Sequence, residues 1–456
     1  MKFLSRFSLI LIILFFQVSC KEKEDDFVQD DDNNESYTQY GIPFEDIPFV
    51  DDIVMYEVNL RAFSSSGDLQ GVINRLDQIK ALGVNVIWLM PIHPIGEVNS
   101  VNSPYSVKDY LAVSDEYGTL DDLRELTDEA HAKGMAVIMD WIANHTAWDN
   151  SWISNPSWYT QDGSGNIVHP PGTNWLDVAD LDYSNSDMRA AMIDAMKYWV
   201  LEANIDGYRC DYADGVPVNF WTQVIDTLNS IPNRKYVLLA EGSRYNHFTA
   251  GFDLIYGWGF YSKMKEVFNG QAASTLFTTH EEEYSNVSVG KHRLRFTTNH
   301  DESAWDSTPM VLFNGKEGAL AASVVTIFMG GVPLLYTGQE VGRVSNVPFF
   351  SNSPINWSEN PDMLIEYQNI MNVYTQFEVA RKGTNTEFSN ADIVCFKKNL
   401  SNDEFLVIVN LRNNSNNFVL PADLQNTNWI NTLSDNELNF GTSIQLTNYQ
   451  YYILRN

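Results

Sequence analysis

The sequence predicts an α/β protein built on a (β/α)8 barrel, and two features of the chain support this fold class. Short apolar runs alternate with helix-like patterns along most of its length, and such alternation indicates parallel strands joined by right-handed helical crossovers. Three acidic residues, Asp211, Glu241 and Asp301, each follow an apolar run. Their intervals are close to one and two strand-plus-helix units of about thirty residues, so the three acids are expected to meet at one barrel mouth.

The composition describes a globular protein with an acidic surface. The chain has 456 residues, 44% of them hydrophobic, which allows one large domain with an appendage or two medium-sized domains. Its 29 lysines and arginines stand against 59 acidic residues, giving a formal net charge of -30. Because such a surface repels phosphate backbones and anionic headgroups, we expect no nucleic-acid partner and a neutral substrate.

The first 45 residues predict export rather than a part of the folded core. Residues 1–20 join a basic start to a short apolar stretch and small side chains before Cys20. This is the pattern of a signal peptide too short to span a bilayer. The residues before Cys20 resemble a bacterial lipobox, which implies a lipid on Cys20; secretion without a lipid is the alternative. Residues 21–45 are polar and acidic and predict a solvated tether. We therefore expect an extracytoplasmic protein, held at the outer membrane or cell surface by its lipid alone.

Eight apolar runs, each bounded by turn or cap residues, predict the barrel strands. Near-continuous hydrophobicity within each run fits a parallel sheet that is buried on both faces. The runs cover residues 53–60, 84–90, 135–142, 205–211, 236–241, 252–257, 294–300 and 332–338.

Helix-like patterns lie between most of these runs. They begin with acidic or capping residues, and several end in Lys or Gly. They cover residues 68–83, 119–134, 186–202 and 216–230. The barrel is thus predicted in two parts, residues 46–143 and 184–385.

Two segments depart from this alternation. Residues 144–183 form a long excursion after the third strand, rich in Trp, Asn, Gly and Pro, and excursions of this length are usually functional subdomains. Residues 386–456 contain alternating runs separated by polar turns and predict a C-terminal antiparallel β-sandwich domain. Cys210 lies in a predicted barrel strand and Cys395 in the C-terminal segment, so we expect buried thiols and no disulfide.

Four short motifs carry the most specific signal in the chain. They read DWIANH, GYRCD, AEG and TNHDE, and they stand in this order at residues 140–145, 207–211, 240–242 and 298–302. Together, at the ends of predicted strands three, four, five and seven, they resemble the four motifs of the α-amylase family, glycoside hydrolase family 13. The excursion and the terminal β domain resemble that family's B and C domains. The resemblance implies a retaining glycoside hydrolase that cleaves mainly α-1,4 linkages in starch-type glucans or maltooligosaccharides.

By this resemblance Asp211 is the nucleophile, Glu241 the general acid and base, and Asp301 the acid that steadies the transition state. An oxocarbenium-like transition state needs an ionised carboxylate and a protonated acid, hence two different pKa values. Arg209 shares a strand face with Asp211, and its cation is expected to keep Asp211 ionised. Glu241 ends an apolar run, so burial is expected to raise its pKa.

The resemblance also implies a set of sugar-binding residues. His145 and His300 match the family's pair of histidines that donate to ring hydroxyls, and Tyr105 matches its stacking tyrosine, whose face covers the apolar face of the sugar. Arg209 is placed in the same set, whereas Asp140 reads as a structural hydrogen-bonding residue. Four further tryptophans serve either the cleft or the core of the excursion: Trp148, Trp152, Trp158 and Trp175.

A cofactor is not needed for the chemistry, and a structural calcium ion is an open expectation. Asn144 and Asp180 occupy positions at which many amylases ligate calcium, and their oxygens suit that ion. The family's Lys-His pair after the nucleophile motif is missing, with Asp214 and Gly215 in its place. A lysine contact to sugars beyond the cleavage point is therefore not expected.

Three other functions remain as alternatives. An α-glucosidase or neopullulanase, or a transglycosylase, would use the same covalent intermediate. A non-catalytic glycan-binding lipoprotein is a different class, and the presence of all three acids argues against it. Participation in a glycan-uptake assembly stays open.

Overall fold

The computed structural model describes residues 37–456. The predicted signal peptide at residues 1–20, the predicted lipidation site Cys20 and the part of the predicted tether up to residue 36 lie outside the described residues. No helix within residues 37–456 is long and apolar enough to cross a membrane.

Eight parallel strands close into a barrel, in which each predicted apolar run contributes one strand. The strands are Met55–Val58, Val86–Leu89, Ala136–Trp141, Gly207–Cys210, Val237–Ala240, Leu254–Tyr256, His292–Arg295 and Val332–Tyr336. They follow one another around the barrel in chain order, and the last strand pairs with the first at Met55 and Leu334. The predicted (β/α)8 barrel is confirmed.

The strands are buried on both faces because alternate residues serve two separate cores. Met55, Val86, Trp88 and Leu239 belong to an apolar cluster that fills the barrel interior. Their neighbours along the same strands, such as Tyr56 and Ile87, pack in the larger cluster between barrel and helices. This two-residue period explains why the sequence runs are apolar throughout.

The barrel helices agree with the sequence patterns except at one place. The predicted helix at residues 68–83 is two short helices, Leu69–Ile73 and Leu76–Lys80. Arg75 between them leaves the helical conformation and lays its guanidinium over Trp357, 4.1 Å from the ring centroid. This cation–π contact favours the break. The remaining α-helices are Leu60–Phe63, Leu120–Ala132, Ser186–Glu202, Val218–Asn229, Asn246–Ala250, Trp258–Phe268, Thr275–Tyr284, His300–Trp305, Pro309–Leu312, Lys316–Phe328, Pro361–Gln376 and Glu378–Lys382.

The excursion after the third barrel strand is built around a two-stranded antiparallel ribbon. Its strands, His145–Ala147 and Val178–Asp180, pair directly. Trp152 packs against Tyr110 and Trp158, with ring centroids 4.9 and 5.3 Å apart, and so belongs to the core of this subdomain. Two short 3-10 helices, Ser151–Ser154 and Pro156–Trp158, complete it.

The C-terminal region is antiparallel, as predicted. A six-stranded sheet and a two-stranded sheet contain the strands Thr384–Glu387, Ile393–Leu400, Asp403–Asn410, Asn416–Val419, Asn428–Asn431, Glu437–Asn439, Ser443–Leu446 and Tyr451–Arg455. Cys395 is buried in this region and Cys210 in the fourth barrel strand, and both are free thiols.

The amino-terminal end of the described chain differs from the predicted tether. Residues 37–45 are not free in solvent but lie along the barrel helices. The Tyr37 hydroxyl donates to Asp194 at 2.7 Å, the Tyr40 amide donates to the Leu201 carbonyl at 2.7 Å, and Phe44 stacks on His131 at 4.5 Å. The contacts with the barrel thus include residues that the prediction assigned to the tether.

Candidate active site

The barrel brings the three predicted acids to one mouth. Asp211 and Glu241 directly follow the fourth and fifth strands, and Asp301 lies in the helical turn His300–Trp305 after the seventh. All three line one cavity of about 630 Å³. Ends of parallel strands meet at one edge of a closed sheet, so this convergence follows from the topology.

Arg209 is the electrostatic centre of the site. Its guanidinium is fully buried and lies 2.7 Å from Asp140 Oδ1, 2.9 Å from Asp211 Oδ1 and 2.8 Å from Glu241 Oε2. Its Nε donates to the Tyr256 hydroxyl at 3.2 Å. One cation thus fixes the positions of three carboxyl groups. Arg209 does not line the cavity itself and lies deeper in the barrel than the carboxyl groups that it holds. The role of Arg209 among the sugar-binding residues stays a prediction.

The two central carboxyl groups have raised pKa values. Burial raises the pKa of Glu241 to about 7, against the lowering effect of Arg209, and the Asp211 and Asp301 charges add to the rise. Burial likewise raises the pKa of Asp211 to about 6, although Arg209 opposes it. Desolvation thus outweighs the attraction of Arg209, yet Asp211 is still mostly ionised at pH 7, as expected from the neighbouring cation. The expected ranking, with Glu241 above Asp211, is kept.

A strained backbone position joins these two residues. Tyr212, directly after Asp211, has a φ of 41° in the left-handed region, which is costly for a bulky side chain. In this conformation its amide donates to Glu241 Oε2 at 2.7 Å. Strain of this kind persists where surrounding contacts impose it, and here it orients the Glu241 carboxyl.

Tyr105 and His300 form a second hydrogen-bonded unit on the wall of the cavity. The Tyr105 hydroxyl donates to Asp140 Oδ2 at 3.0 Å and lies 2.8 Å from His300 Nε2, and the two rings stack with centroids 5.4 Å apart. His300 Nδ1 contacts Glu57 Oε1. Burial lowers the pKa of His300, but the charges of Asp301 and Glu57 outweigh it and raise that pKa to about 9. The imidazole is therefore a cation at neutral pH.

His145 is the neutral counterpart of His300. Burial lowers its pKa to about 4. Its Nε2 lies 3.2 Å from the Tyr105 carbonyl and its Nδ1 lies 3.3 Å from the Asn144 amide nitrogen. The ring N–H that the sequence assigned to a sugar hydroxyl is therefore shared with a backbone carbonyl.

Aromatic side chains that the sequence reading left out or left undecided form two walls of the cavity. Trp175 and Tyr212 contact each other on one side, with centroids 5.1 Å apart. Trp305 packs against Phe349 and Phe350 on the other, at 5.9 and 5.5 Å. Trp305 is 68% exposed and its face is available. Flat apolar faces flanking carboxylates suit sugar rings, which have one apolar face and many hydroxyls.

Asn144 and Asp180 line a second hollow of about 600 Å³ together with Gly215. A Cβ at Gly215 would lie 2.6 Å from Asn144 Oδ1, so glycine keeps this oxygen accessible. Among residues 37–456 no three His, Cys, Asp or Glu side chains cluster as a metal site. A calcium ion would therefore need backbone carbonyls and water beside these two side chains.

Asp214 stands where the family that the motifs resemble has a lysine, and its side chain contacts other residues of this chain. Its Oδ1 lies 2.7 Å from His247 Nε2, and its Oδ2 accepts from the amide and hydroxyl of Ser243. Burial raises its pKa, but these hydrogen bonds outweigh burial and bring it to about 2. Asp214 thus ties the loops after the fourth and fifth strands together.

The chain is similar in sequence to a family model and to relatives that are named as an amylase or a glucosidase. Residues 26–164 match the family described as alpha amylase, catalytic domain. The chain is 25% identical over 401 residues to an enzyme named alpha-amylase 2 from Dictyoglomus thermophilum, covering 80% of this chain and 68% of that protein. It is 34% identical over 199 residues to a probable oligo-1,6-glucosidase 2 of Bacillus subtilis, covering 35% of this chain and 34% of that protein.

The fold has solved counterparts as well. The crystal structure of an alpha-amylase from Lactobacillus plantarum superposes with a TM-score of 0.79 at 26% identity, over 89% of this chain and 99% of that one. Across the first curated relatives that it matches, the chain spans 34% to 70% of their own length.

Proposed function

We propose that this chain carries a catalytic domain of the α-amylase family, glycoside hydrolase family 13, and hydrolyses α-glucosidic bonds in starch-type glucans or maltooligosaccharides with retention of configuration. The observation that supports this most is the pairing of Asp211 and Glu241 on the Arg209 guanidinium inside one cavity. Two carboxyl groups with separated pKa values provide the nucleophile and the acid that acetal cleavage requires.

In the first step Glu241 gives its proton to the glycosidic oxygen while Asp211 attacks the anomeric carbon. The bond to the leaving sugar breaks and a covalent glycosyl ester of Asp211 forms. Glu241, now ionised, then takes a proton from water, whose oxygen attacks the anomeric carbon and releases Asp211. A pKa of about 7 lets Glu241 both donate and accept this proton near neutrality.

Asp301 and His300 hold the sugar ring during both steps. His300 is cationic through Glu57 and Asp301 and lies 3.4 Å from Asp301 Oδ2. Both line the cavity, where they offer donors and acceptors to ring hydroxyls. Such hydrogen bonds strengthen as the ring flattens toward the transition state.

The direct test replaces Asp211 by Asn and measures reducing-sugar release from amylose. We expect turnover to disappear while circular dichroism stays unchanged, and Asp226→Asn, on an exposed helix surface, serves as the matched control. Unchanged turnover in Asp211→Asn would mean that the nucleophile is wrongly assigned. Absence of turnover in the unsubstituted protein would favour the glycan-binding alternative.

Linkage preference is tested with pullulan and maltotriose. The similarity to a probable oligo-1,6-glucosidase keeps α-1,6 cleavage as a second candidate. A single product size from pullulan would indicate a neopullulanase-type enzyme, and products longer than the substrate would indicate transglycosylation.

A structural calcium ion is proposed at Asn144 and Asp180, with Gly215 leaving room beside them. It would stabilise the junction of the excursion and the barrel and would take no part in bond cleavage. Addition of calcium to chelator-treated protein is expected to raise the Tm, and Asp180→Ala is expected to remove that increase. Equal Tm values with and without calcium would argue against the site.

The proposed location is extracytoplasmic, with a lipid on Cys20 as the only membrane contact. The supporting observation is the basic, apolar and small-residue sequence that precedes Cys20. Detergent-phase partitioning of the full chain, lost in Cys20→Ser, would support it. Membership of a glycan-uptake assembly is part of the same proposal and is tested by co-purification from detergent extracts.

A further inference from the structure

A third cavity lies at the end of the barrel opposite the carboxylates. It is bordered by Asp51, before the first strand, by His292, at the start of the seventh, and by Gly331, before the eighth. Its other wall is the beginning of the C-terminal sheet, including Asn385 and Lys398. The cavity has a volume of about 520 Å³, which is within the range of small-molecule sites. We call it the junction cavity.

Lys398 is the buried amine of the junction cavity, and burial lowers its pKa to about 7, so a bound anion would stabilise its charged form. The side chain is 1% exposed, and its ammonium donates to the carbonyl of Phe328, the last residue of the helix Lys316–Phe328, at 3.0 Å. An ammonium has three N–H donors, and this bond uses one. Within residues 37–456 no carboxylate lies within ion-pair distance of Lys398. Buried ammonium groups are almost always paired.

The other permanent cations of the junction cavity are all neutralised. Arg381 pairs with Asp52 at 2.8 Å, and Lys382 pairs with Asp52 at 3.2 Å and with Glu378 at 3.0 Å. Lys398 is therefore the basic side chain that, among the described lysines and arginines lining this cavity, has no carboxylate partner, in a protein whose formal net charge is -30.

An unused acceptor stands beside this donor. Asn385 is paired across from Lys398 in the antiparallel sheet, so both side chains are on the same face. The Asn385 amide nitrogen donates to the Met329 carbonyl at 2.6 Å, whereas its Oδ1 is buried without a hydrogen-bond donor. Buried polar atoms normally have partners, and Asn385 borders a cavity large enough to admit one.

We propose that the junction cavity binds a small hydroxylated organic anion, of the sugar-acid or sugar-phosphate class, whose anionic group sits on Lys398 Nζ and whose hydroxyl donates to Asn385 Oδ1. The anion supplies the counter-charge that Lys398 lacks, and a hydroxyl supplies the donor that Asn385 lacks. Phe277 and Tyr284 line the same cavity and give the carbon skeleton an apolar surface. Since barrel and C-terminal sheet both contribute groups, the ligand stabilises their junction.

Calorimetric titration of the full chain with sodium gluconate and with glucose 6-phosphate tests this site, with sodium chloride at matched ionic strength as the blank. We expect binding of at least one probe, and the tighter probe tells whether carboxylate or phosphate is preferred. Lys398→Met should weaken binding at least about tenfold, as loss of a charge-assisted contact does. Lys382→Met, which removes a paired cation at the same cavity, should leave the affinity within about twofold, as expected for an exposed ion pair.

Asn385→Ser separates the two contacts and covers the case in which Lys398→Met does not fold. It should weaken gluconate or glucose 6-phosphate binding but leave binding of inorganic phosphate unchanged. Circular dichroism and turnover on maltooligosaccharides report the folding of each variant. Because these are measured separately from affinity, failure of the proposed hydrolase function and failure of this site are distinguishable.

Three results would overturn the proposal. They are no heat of binding with either probe, an affinity that is equal in the unsubstituted chain, in Lys398→Met and in Asn385→Ser, and a crystal soaked in selenate that places the anion only at surface lysines. Equal affinities would mean that the probe binds elsewhere, in the catalytic cavity. Selenate only at surface lysines would show an adventitious ion only.

Discussion

Replacing Glu241 by Gln should remove one limb of the pH profile and leave the other. In the unsubstituted protein the nucleophile must be ionised and the acid protonated. Because the pKa of Asp211 is about 6 and that of Glu241 about 7, kcat/KM should fall as pH drops below the first value and as pH rises above the second. Both values belong to the interacting pair, so the profile is a narrow bell.

The size of the loss should depend on the leaving group. Glu241→Gln keeps the shape of the side chain and the contact from the Tyr212 amide, but it has no proton to give. With a glucan substrate we expect kcat to fall about 10²- to 10⁴-fold, the usual contribution of general acid–base catalysis. This equals about 3–5 kcal/mol in the barrier. An aryl maltoside with an acidic phenol needs little protonation, so the loss on bond cleavage should be much smaller there.

The assay measures kcat/KM from pH 4.5 to 9 with both substrates. Glu340→Gln is the matched control, because Glu340 is also buried, its pKa is also raised to about 7 by burial, and its carboxylate accepts from Tyr56 away from the cavity. The alkaline limb should vanish in Glu241→Gln and persist in Glu340→Gln. An alkaline limb that survives in Glu241→Gln, or one that is lost in Glu340→Gln, would refute the assignment of the acid.

Three further outcomes follow from the geometry. Arg209→Met leaves three carboxyl groups without their cation, so the free energy of unfolding should fall by about 3–5 kcal/mol at pH 7 and by less at pH 5, where these groups take up protons; urea denaturation at both pH values measures this. Tyr105→Phe removes hydrogen bonds to Asp140 and His300 but keeps the ring, and kcat/KM should fall roughly tenfold, whereas Tyr105→Ala should lose more; equal losses would show that the hydroxyl contributes nothing. His300 should titrate near pH 9 by NMR, above its ordinary value of about 6.5. Its contribution to the stability of the fold is therefore complete below pH 6.5 and is lost as pH rises through 9. In Asp301→Asn the pKa of His300 should fall.

The barrel was predictable because its pattern is redundant. Each strand serves an inner core and an outer core at once, so each appears in the sequence as an apolar run. The break at Arg75 was not predictable, since the helical pattern on both sides of it is intact. Arg75 contacts Trp357 there, and no local pattern reveals a partner almost 300 residues later in the chain.

The positions of the acids were predictable from the strand ends, but their pKa values were not. The order of residues showed that Arg209 and Asp211 share a face, and it did not show how deeply both are buried. Desolvation grows with burial, and burial here results from the closure of the whole mouth.

The site residues that the sequence did not identify fall into two groups, those with a usable sequence signal and those without one. Glu57 sits inside an apolar run and Tyr212 directly follows the nucleophile motif, so a charged residue within a buried strand and a bulky residue after Asp211 were usable signals. Phe349 and Phe350 lie in a long loop after the last strand, and nothing in the sequence shows that this loop returns to the mouth.

Cys210 sits immediately before Asp211, and its burial has a consequence for how the protein can be handled. Its thiol is 1% exposed, and burial raises its pKa well above the usual range, so thiolate is scarce and alkylating or oxidising reagents have no access. The protein should therefore keep its turnover without added reductant. A maleimide dye that reacts with Cys210 would then signal that the fourth strand has opened, which makes this thiol a reporter of global unfolding.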